Sequence, residues 1–262
     1  MHPALWTGKT GLNAMDVKMS TISNNLANVN TVGYKRNRAV FEDLLYQAQK
    51  MPGAQNGGDT QLPTGLQLGT GVRVTATQRQ FTAGSLETTN QPLDMAINGR
   101  GFFRLLMPDG EVSYTRNGQF HLDSDGRIVN SNGFPLEPEI VVPENTSSIT
   151  VGRDGTVTVT QAGEANDEQE IGQIEVVDFV NPPGLLAKGN NVYVETAGSG
   201  APLDGVGGED GFGAVEQLTL ELSNVSAVEE LVDMITTQRA YEMNTKVVSA
   251  ADDMLRNLTQ TL

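Results

Sequence analysis

The sequence predicts an α+β protein, with N- and C-terminal helices forming a coiled-coil core domain and an antiparallel β-rich domain and an extended arm between them. Three observations predict this. An apolar stripe of heptad spacing runs through the start of the chain, and a second runs through its end. Between them the chain is punctuated by Asn-Gly and Asp-Gly dipeptides.

At the start, Leu5, Leu12, Met15, Met19, Ile22, Leu26 and Val29 are spaced 7, 3, 4, 3, 4 and 3 apart. This a/d spacing draws a narrow stripe on a helix. Polar Asn13, Asp16, Lys18, Ser20, Asn24 and Asn25 lie around it. A helix packed only on its own domain has the same periodicity, but a stripe this narrow favours a helix–helix seam. The run 28–33 is expected to end the helix. Asn28, Asn30 and Gly33 tolerate left-handed backbone, and Thr31 and Val32 are poor helix formers.

At the other end, neither Pro nor Gly occurs from Ser223 to Leu262. Ala227, Met234, Tyr241, Val248, Leu255 and Leu262 recur every seven residues, and Val228, Leu231, Val232, Ile235, Ala251 and Leu258 widen the stripe. Ser223 or Asn224 is expected to cap this helix, and Ser226 with Glu229 has capping-box spacing. A helix of about 38 residues would reach roughly 57 Å, longer than a small domain is wide. A one-sided stripe on such a helix needs a partner. The seam of assembly is therefore expected to hold the seven N-terminal residues above together with Ala227, Leu231, Met234, Tyr241, Val248, Leu255, Leu258 and Leu262. Isolated helices of this kind are marginal, so both ends are expected to be disordered in the monomer and to fold on assembly.

In the middle, Asn-Gly stands at Asn56, Asn98, Asn117 and Asn132, and Asp-Gly at Asp109, Asp125, Asp154, Asp204 and Asp210. Such pairs supply the positive φ of tight turns. Several lie between alternating runs at 111–115, 119–123, 127–130 and 156–160, which read as antiparallel hairpins and not as a parallel nucleotide-binding sheet. Residues 163–170 and 198–213 are acidic or Gly-rich and read as exposed loops. Residues 47–71 hold six Gly, two Pro and one acid, without helical periodicity. A flexible linker and an extended arm that orders against neighbouring molecules fit them equally. The expected organisation is an N-terminal helix at 1–34, a connecting segment and arm at 35–71, a β-rich outer domain at 72–222 and a C-terminal helix at 223–262.

Composition sets the limits of function. A chain of 262 residues with 38% hydrophobic residues falls below the usual level of about 45–50%. Part of it is expected to be extended or completed by a partner. Residues 1–50 carry six basic and three acidic residues, so they are +3 and the rest carries −18 of the net −15. That acidic body argues against nucleic acid. The absence of cysteine excludes disulfides and Cys-ligated metals. The first twenty residues lack the apolar core of a secretory signal, and no run approaches 18 apolar residues. Neither a cleaved signal nor membrane insertion is expected.

Candidate chemistry is sparse. Of the two histidines, His2 is terminal and His121 alternates with Phe120 and Leu122 as a strand residue does. Gly69-x-Gly71 and Gly99-x-Gly101 are half-matches to a dinucleotide loop without the helix that must follow. Asp123-Ser124-Asp125-Gly126 resembles part of a calcium loop, but Asn132 stands where a bidentate Glu is needed. The acidic run at 205–213 has no repeat. Arg239, Glu242, Lys246, Asp252 and Arg256 have the spacing of helix-surface ion pairs. No catalytic residue, cofactor or metal is expected.

Two motifs resemble a known family. SNNLANVNTVGYKRNR at 23–38 is similar to the motif that closes the N-terminal helix of flagellar axial proteins, the rod, hook and hook-associated subunits. SNVSAVEELVDMITTQRAYEMNTKVVSAADDMLRNL at 223–258 resembles the partner signature of the same family. AVFEDLLYQ at 39–47, PGAQ at 52–55 and LPTGLQLGTGV at 62–72 narrow the resemblance to its distal-rod branch, and INGRGFF at 97–103 and YTRNGQF at 114–120 are shared by rod and hook subunits. The signature residues are Asn24, Asn25, Ala27, Asn28, Thr31, Gly33, Tyr34 and Lys35. The resemblance implies a non-enzymatic subunit that polymerises helically through its terminal helices into the drive shaft that carries motor torque to the hook. It implies as partners other copies of the chain, rod subunits below, hook subunits above, the peptidoglycan and outer-membrane ring proteins and the flagellar type III export apparatus. Its place would be the basal body, spanning the periplasm. The alternatives are another axial subunit, proximal rod or hook, or a β-rich cell-wall binding module dimerised by its end helices. Against the latter stands the low aromatic content, 5%, with one Trp, Trp6.

Overall fold

The computed structural model describes residues 3–53, 63–161 and 168–260, and the side chains of 4–53, 63–161 and 168–257. The chain forms two compact units. One comprises Met1–Ala27, Asn37–Gln78 and Ser226–Leu262; the other comprises Asn28–Arg36 and Arg79–Val225. Both ends of the chain thus belong to one unit, and the β-rich middle to the other.

The first unit is built on α1 (Pro3–Ala27) and α2 (Ala227–Gln260). A Cβ on Gly8 would stand 2.6 Å from Val248 Cγ2, and one on Gly11 would stand 3.3 Å from Asn244 Nδ2. Asn25 reaches Glu230. As α1 advances α2 retreats, so the two lie side by side and antiparallel. Gly8 lets the backbones approach where any larger residue would collide with Val248. After α1 come β1 (Asn37–Asp43), β2 (Tyr46–Lys50), β3 (Leu66–Gly69) and β4 (Val72–Arg79). β1 pairs with β4 and β2 with β3. Leu44 N–H donates to Gly71 O between the two pairs, so they join into one long two-stranded ribbon.

The second unit holds β5 (Leu86–Thr88), β6 (Met95–Asn98), β7 (Phe102–Leu106), β8 (Val112–Thr115), β9 (Phe120–Leu122) and β10 (Ile128–Asn130). It continues with β11 (Thr146–Val151), β12 (Thr156–Gln161), β13 (Glu168–Gln173) and β14 (Val176–Asp178). β15 (Leu186–Gly189), β16 (Val192–Val194), β17 (Leu203–Gly205), β18 (Ala214–Gln217) and β19 (Thr219–Glu221) complete it. Its largest sheet runs β15-β16-β8-β7-β14-β17. Successive residues of a strand face opposite sides. Phe103 and Val176 accordingly enter one core cluster with Phe120, Ile97 and Ile174, while Phe102 and Val177 enter another with Tyr114, Phe179 and Tyr193. The sheet is therefore covered on both faces. In the second cluster Phe102, Phe179, Tyr114, Tyr193 and Phe81 meet edge to face, an arrangement the ring quadrupole favours.

All register-assigned strand pairs among the described residues are antiparallel, as the alternating runs predict. Asp109, Asp125 and Asp154 sit in the turns of the β7–β8, β9–β10 and β11–β12 hairpins. Other expectations need correction. α1 ends at Ala27, so Val29 lies past the helix in the following turn. α2 begins at Ala227 and not at Ser223. There Ser223 Oγ accepts the Val225 N–H, while Asn224 Oδ1 takes the N–H of Arg36 and its amide bonds Gln80 O and Thr82 O. Side-chain bonding has kept these residues in a loop, the competition with helix that Ser and Asn commonly win. Asn98-Gly99 follows β6, whose partner is β18, so it closes no hairpin. Residues 168–170 are the first half of β13, and 203–205 form β17, so neither stretch is a loop. Both pair at a sheet edge, where polar and Gly-containing strands tolerate solvent.

Candidate assembly surfaces

The predicted seam residues fall into three groups. Ile22 is buried, and Leu5, Leu12, Met15, Met19, Leu26, Val29, Ala227, Met234, Val248 and Leu255 are partly buried. Leu231 and Tyr241 are exposed, so neither belongs to a seam within the chain. The side chain of Leu258, and Leu262 entirely, lie outside the described residues, as do residues 54–62 of the arm. The face that α2 turns inward carries instead Glu230, Thr237 and Ala251, all buried. These alternate with the seven-residue series along α2. Apolar spacing finds Ala251 and passes over Glu230 and Thr237, which are polar. Their signal was positional: each stands three residues after Ala227, Met234 or Val248.

Of the widening residues Ala251 is buried, and four others face outward. Val228, Leu231, Val232 and Ile235 are 72%, 46%, 54% and 49% exposed. Their spacing follows one side of a helix over two turns, so they make a continuous apolar stripe and not scattered surface residues. Met243, Val247 and Met254 are exposed further along α2, and Trp6 on α1. The ribbon is also uncovered. Every residue of β2 and β3 is exposed, including Tyr46, Leu66 and Leu68, with Leu45 at 89%. A two-stranded ribbon alone in water is marginal, and this one presents apolar side chains on its free length.

The signature residues do something different: they set the chain's turn out of α1. Asn25 is buried in the first unit, its amide donating to Asn37 O at 2.8 Å and to Glu230 Oε2 at 3.3 Å, and its Oδ1 accepting the Asn37 N–H at 2.9 Å. Asn24 and Ala27 are exposed on α1. In the second unit Thr31 bonds Asn28 through side chain and backbone, closing a turn. Gly33 has φ +68 and a Cβ there would lie 2.7 Å from the Arg116 backbone, so conformation and space both demand glycine. Tyr34 is buried beside it.

Lys35 leads to the most polar place in the core. Its side chain is 0% exposed and that of Glu221 is 1%. Lys35 Nζ donates to Glu221 Oε1 at 2.6 Å and to Thr82 O at 2.8 Å, and the Gly84 N–H donates to the same Oε1 at 2.9 Å. Arg116 donates to Glu221 Oε2 at 3.2 Å, to Ile97 O and to Gly99 O, with its guanidinium over the Phe102 ring. Two buried cations thus share one carboxylate. Burial holds Lys35 below its ordinary value, with Glu221 opposing. It does the same to Arg116. The sequence singled out Lys35 but not its partners. Their signal was a lone Glu in the apolar run 218–222 and a lone Arg following the strand at 112–115.

His121 is exposed on β9, opposite Val129. Among the described residues no cluster of His, Asp or Glu could hold a metal, and no helix is long and apolar enough to cross a membrane.

Comparison with known proteins decides the family. Residues 5–35 match the family model described as flagella basal body rod protein, 96–159 the flagellar hook protein FlgE/F/G D1 domain, and 216–261 the flagellar basal body rod FlgEFG protein C-terminal. The chain is 49% identical to the flagellar basal-body rod protein FlgG of Buchnera aphidicola from Schizaphis graminum, over 99% of this chain and 100% of that one. It belongs to the flagellar basal-body rod protein FlgG family. The FlgG of Borreliella burgdorferi is 46% identical over 97% of both chains, and that of Caulobacter vibrioides 45% over 98% of both. Members of the FlgG family are structural proteins of the flagellar basal body and not enzymes.

Proposed function

We propose that this chain is the structural subunit of the flagellar distal rod and polymerises helically through its paired terminal helices, which coil about one another as the inner layer of the shaft. The observation that carries this reading is the exposed stripe Val228, Leu231, Val232 and Ile235, which the intact chain leaves in water. Covering one such side chain is worth roughly 1.5–3 kcal/mol, and each copy added to a helical array covers the stripe of another. Charge divides in the same sense. The unit with the terminal helices holds 8 basic and 10 acidic residues, net −2, and the β-rich unit 9 and 22, net −13. The nearly neutral unit is the one suited to close packing among identical copies.

Membership of the family supports the partners and the place in the cell, and the exposure of β2 and β3 supports a role for the ribbon. Copies of the chain contact rod subunits below and hook subunits above, within the peptidoglycan and outer-membrane ring proteins. The subunit reaches the periplasmic basal body through the flagellar export apparatus. The exposed ribbon lies between neighbouring copies and wedges them, which stiffens the shaft. Negative-stain electron microscopy of the concentrated, purified chain tests the core of this. Rods or tubes are expected; a fixed small oligomer at all concentrations would contradict it.

A further inference from the structure

The stripes that pair α1 with α2 pose a problem of choice. In an array, every copy brings the same two stripes close to those of its neighbours. Purely apolar layers look alike, so helices slide by whole heptads or exchange partners unless something marks one register. Two features mark it here. At one end Gly8 leaves room for Val248, and Gly11 for Asn244. At the other, Asn25 and Glu230, each 1% exposed, meet inside the seam. Asn25 is tied at the same time by two bonds to the backbone of Asn37, in the strand that follows α1 in the same chain. Its amide is therefore held in place by contacts other than those to α2. A shift of one heptad would carry Glu230 past the end of α1 in one direction; in the other it would move Glu230 from Asn25 to Lys18 and bring the larger Tyr241 in place of Val248 against Gly8.

We propose that Asn25 and Glu230 are the specificity-determining residues of assembly: they make each chain pair its own α1 with its own α2 in one antiparallel register, so that the terminal helices of sister copies meet only through the outward stripe of α2. This rests on the assembly reading above. Buried polar groups serve register in this way at a cost in stability.

The chain has no cysteine, which allows a clean cross-linking test. With Gly11→Cys and Asn244→Cys introduced into the full-length chain, oxidation is expected to give a disulfide within one chain and few linked dimers on a non-reducing gel. Adding Asn25→Leu and Glu230→Leu is expected to raise the linked dimers about tenfold, as registers and partners that the native pair rejects become accessible. Asn25→Ala, which keeps a good helix former, is expected to act in the same direction. Dimers at the native level in both variants would overturn the proposal. So would loss of the helical circular-dichroism signal in both, since the pair would then be needed to fold and not to choose a partner. Microscopy of the chain with native cysteine-free sequence reports separately on assembly: register-dependent cross-linking without rods would sink the assembly reading and leave this one standing.

Discussion

At the scale of single residues, the charge cluster of the β-rich unit has an asymmetry that substitution can read. Glu221 neutralises both Lys35 and Arg116, so removing it strands two buried cations. Glu221→Gln is expected to cost about 3–5 kcal/mol in a denaturant titration. Lys35→Met is expected to be close to neutral. It leaves Glu221 with Arg116 and the Gly84 N–H, and Thr82 O with the Asn224 amide. Equal losses from the two substitutions would contradict the shared-carboxylate geometry. The same cluster sets a pH profile. Lys35 is held below 10.5 in the fold and regains that value on unfolding, so between the two values the unfolded chain binds the extra proton and stability rises with pH. Burial works the other way on two tyrosines, Tyr114 being pushed up to about 12 and Tyr193 also raised. Their contribution is whole below the ordinary 10.0 and is lost as pH climbs past it. The melting temperature is therefore expected to rise toward pH 10 and fall above it, and Lys35→Met to flatten the rising limb. A rising limb of unchanged size in that variant would assign it to another group.

At the scale of elements, local pattern and long-range pairing divide what could be read from what could not. The runs at 111–115, 127–130 and 156–160 were legible because alternation is a property of one strand on one sheet face. The order β15-β16-β8-β7-β14-β17 was not, because it joins strands from separate hairpins and no local spacing encodes which edges meet. The helices show the same division. The seven-residue series runs through Ala227, Met234, Val248 and Leu255, all partly buried, but its apolar criterion passes over Glu230 and Thr237, which are buried where Glu230 meets Asn25 and Thr237 donates to Asp233 O. It also could not say which side of α2 faces inward. Val228 and Leu231 satisfy a helix pattern equally well whether covered by α1 or by a neighbouring molecule. For the segment 47–71 composition left linker and arm open, whereas the structure pairs Tyr46 with Gly69 and Lys50 with Leu66. If this ribbon wedges neighbours, deleting residues 46–69 should give rods that bend more in electron micrographs. Rods of unchanged stiffness would refute the wedge.

At the scale of the whole molecule, the charge of the β-rich unit opposes the assembly that the helices favour. A net charge of −13 per copy repels when copies are stacked, and salt screens that repulsion beyond about 10 Å at 0.1 M. Polymerisation followed by light scattering is expected to quicken as sodium chloride is raised from low concentration. A rate that falls with salt would mean that attraction between charges holds the copies together. The more direct test removes the apolar stripe while leaving the helix pair. Val228, Leu231, Val232 and Ile235 touch water in the single chain, so replacing all four by Ser alters little within it. Concentrated wild-type protein should form rods by negative stain, and the four-fold Ser variant, with helical circular dichroism preserved, should remain single chains at the same concentration. Rods of normal number and length from that variant would contradict the assignment of this stripe as the surface through which copies join.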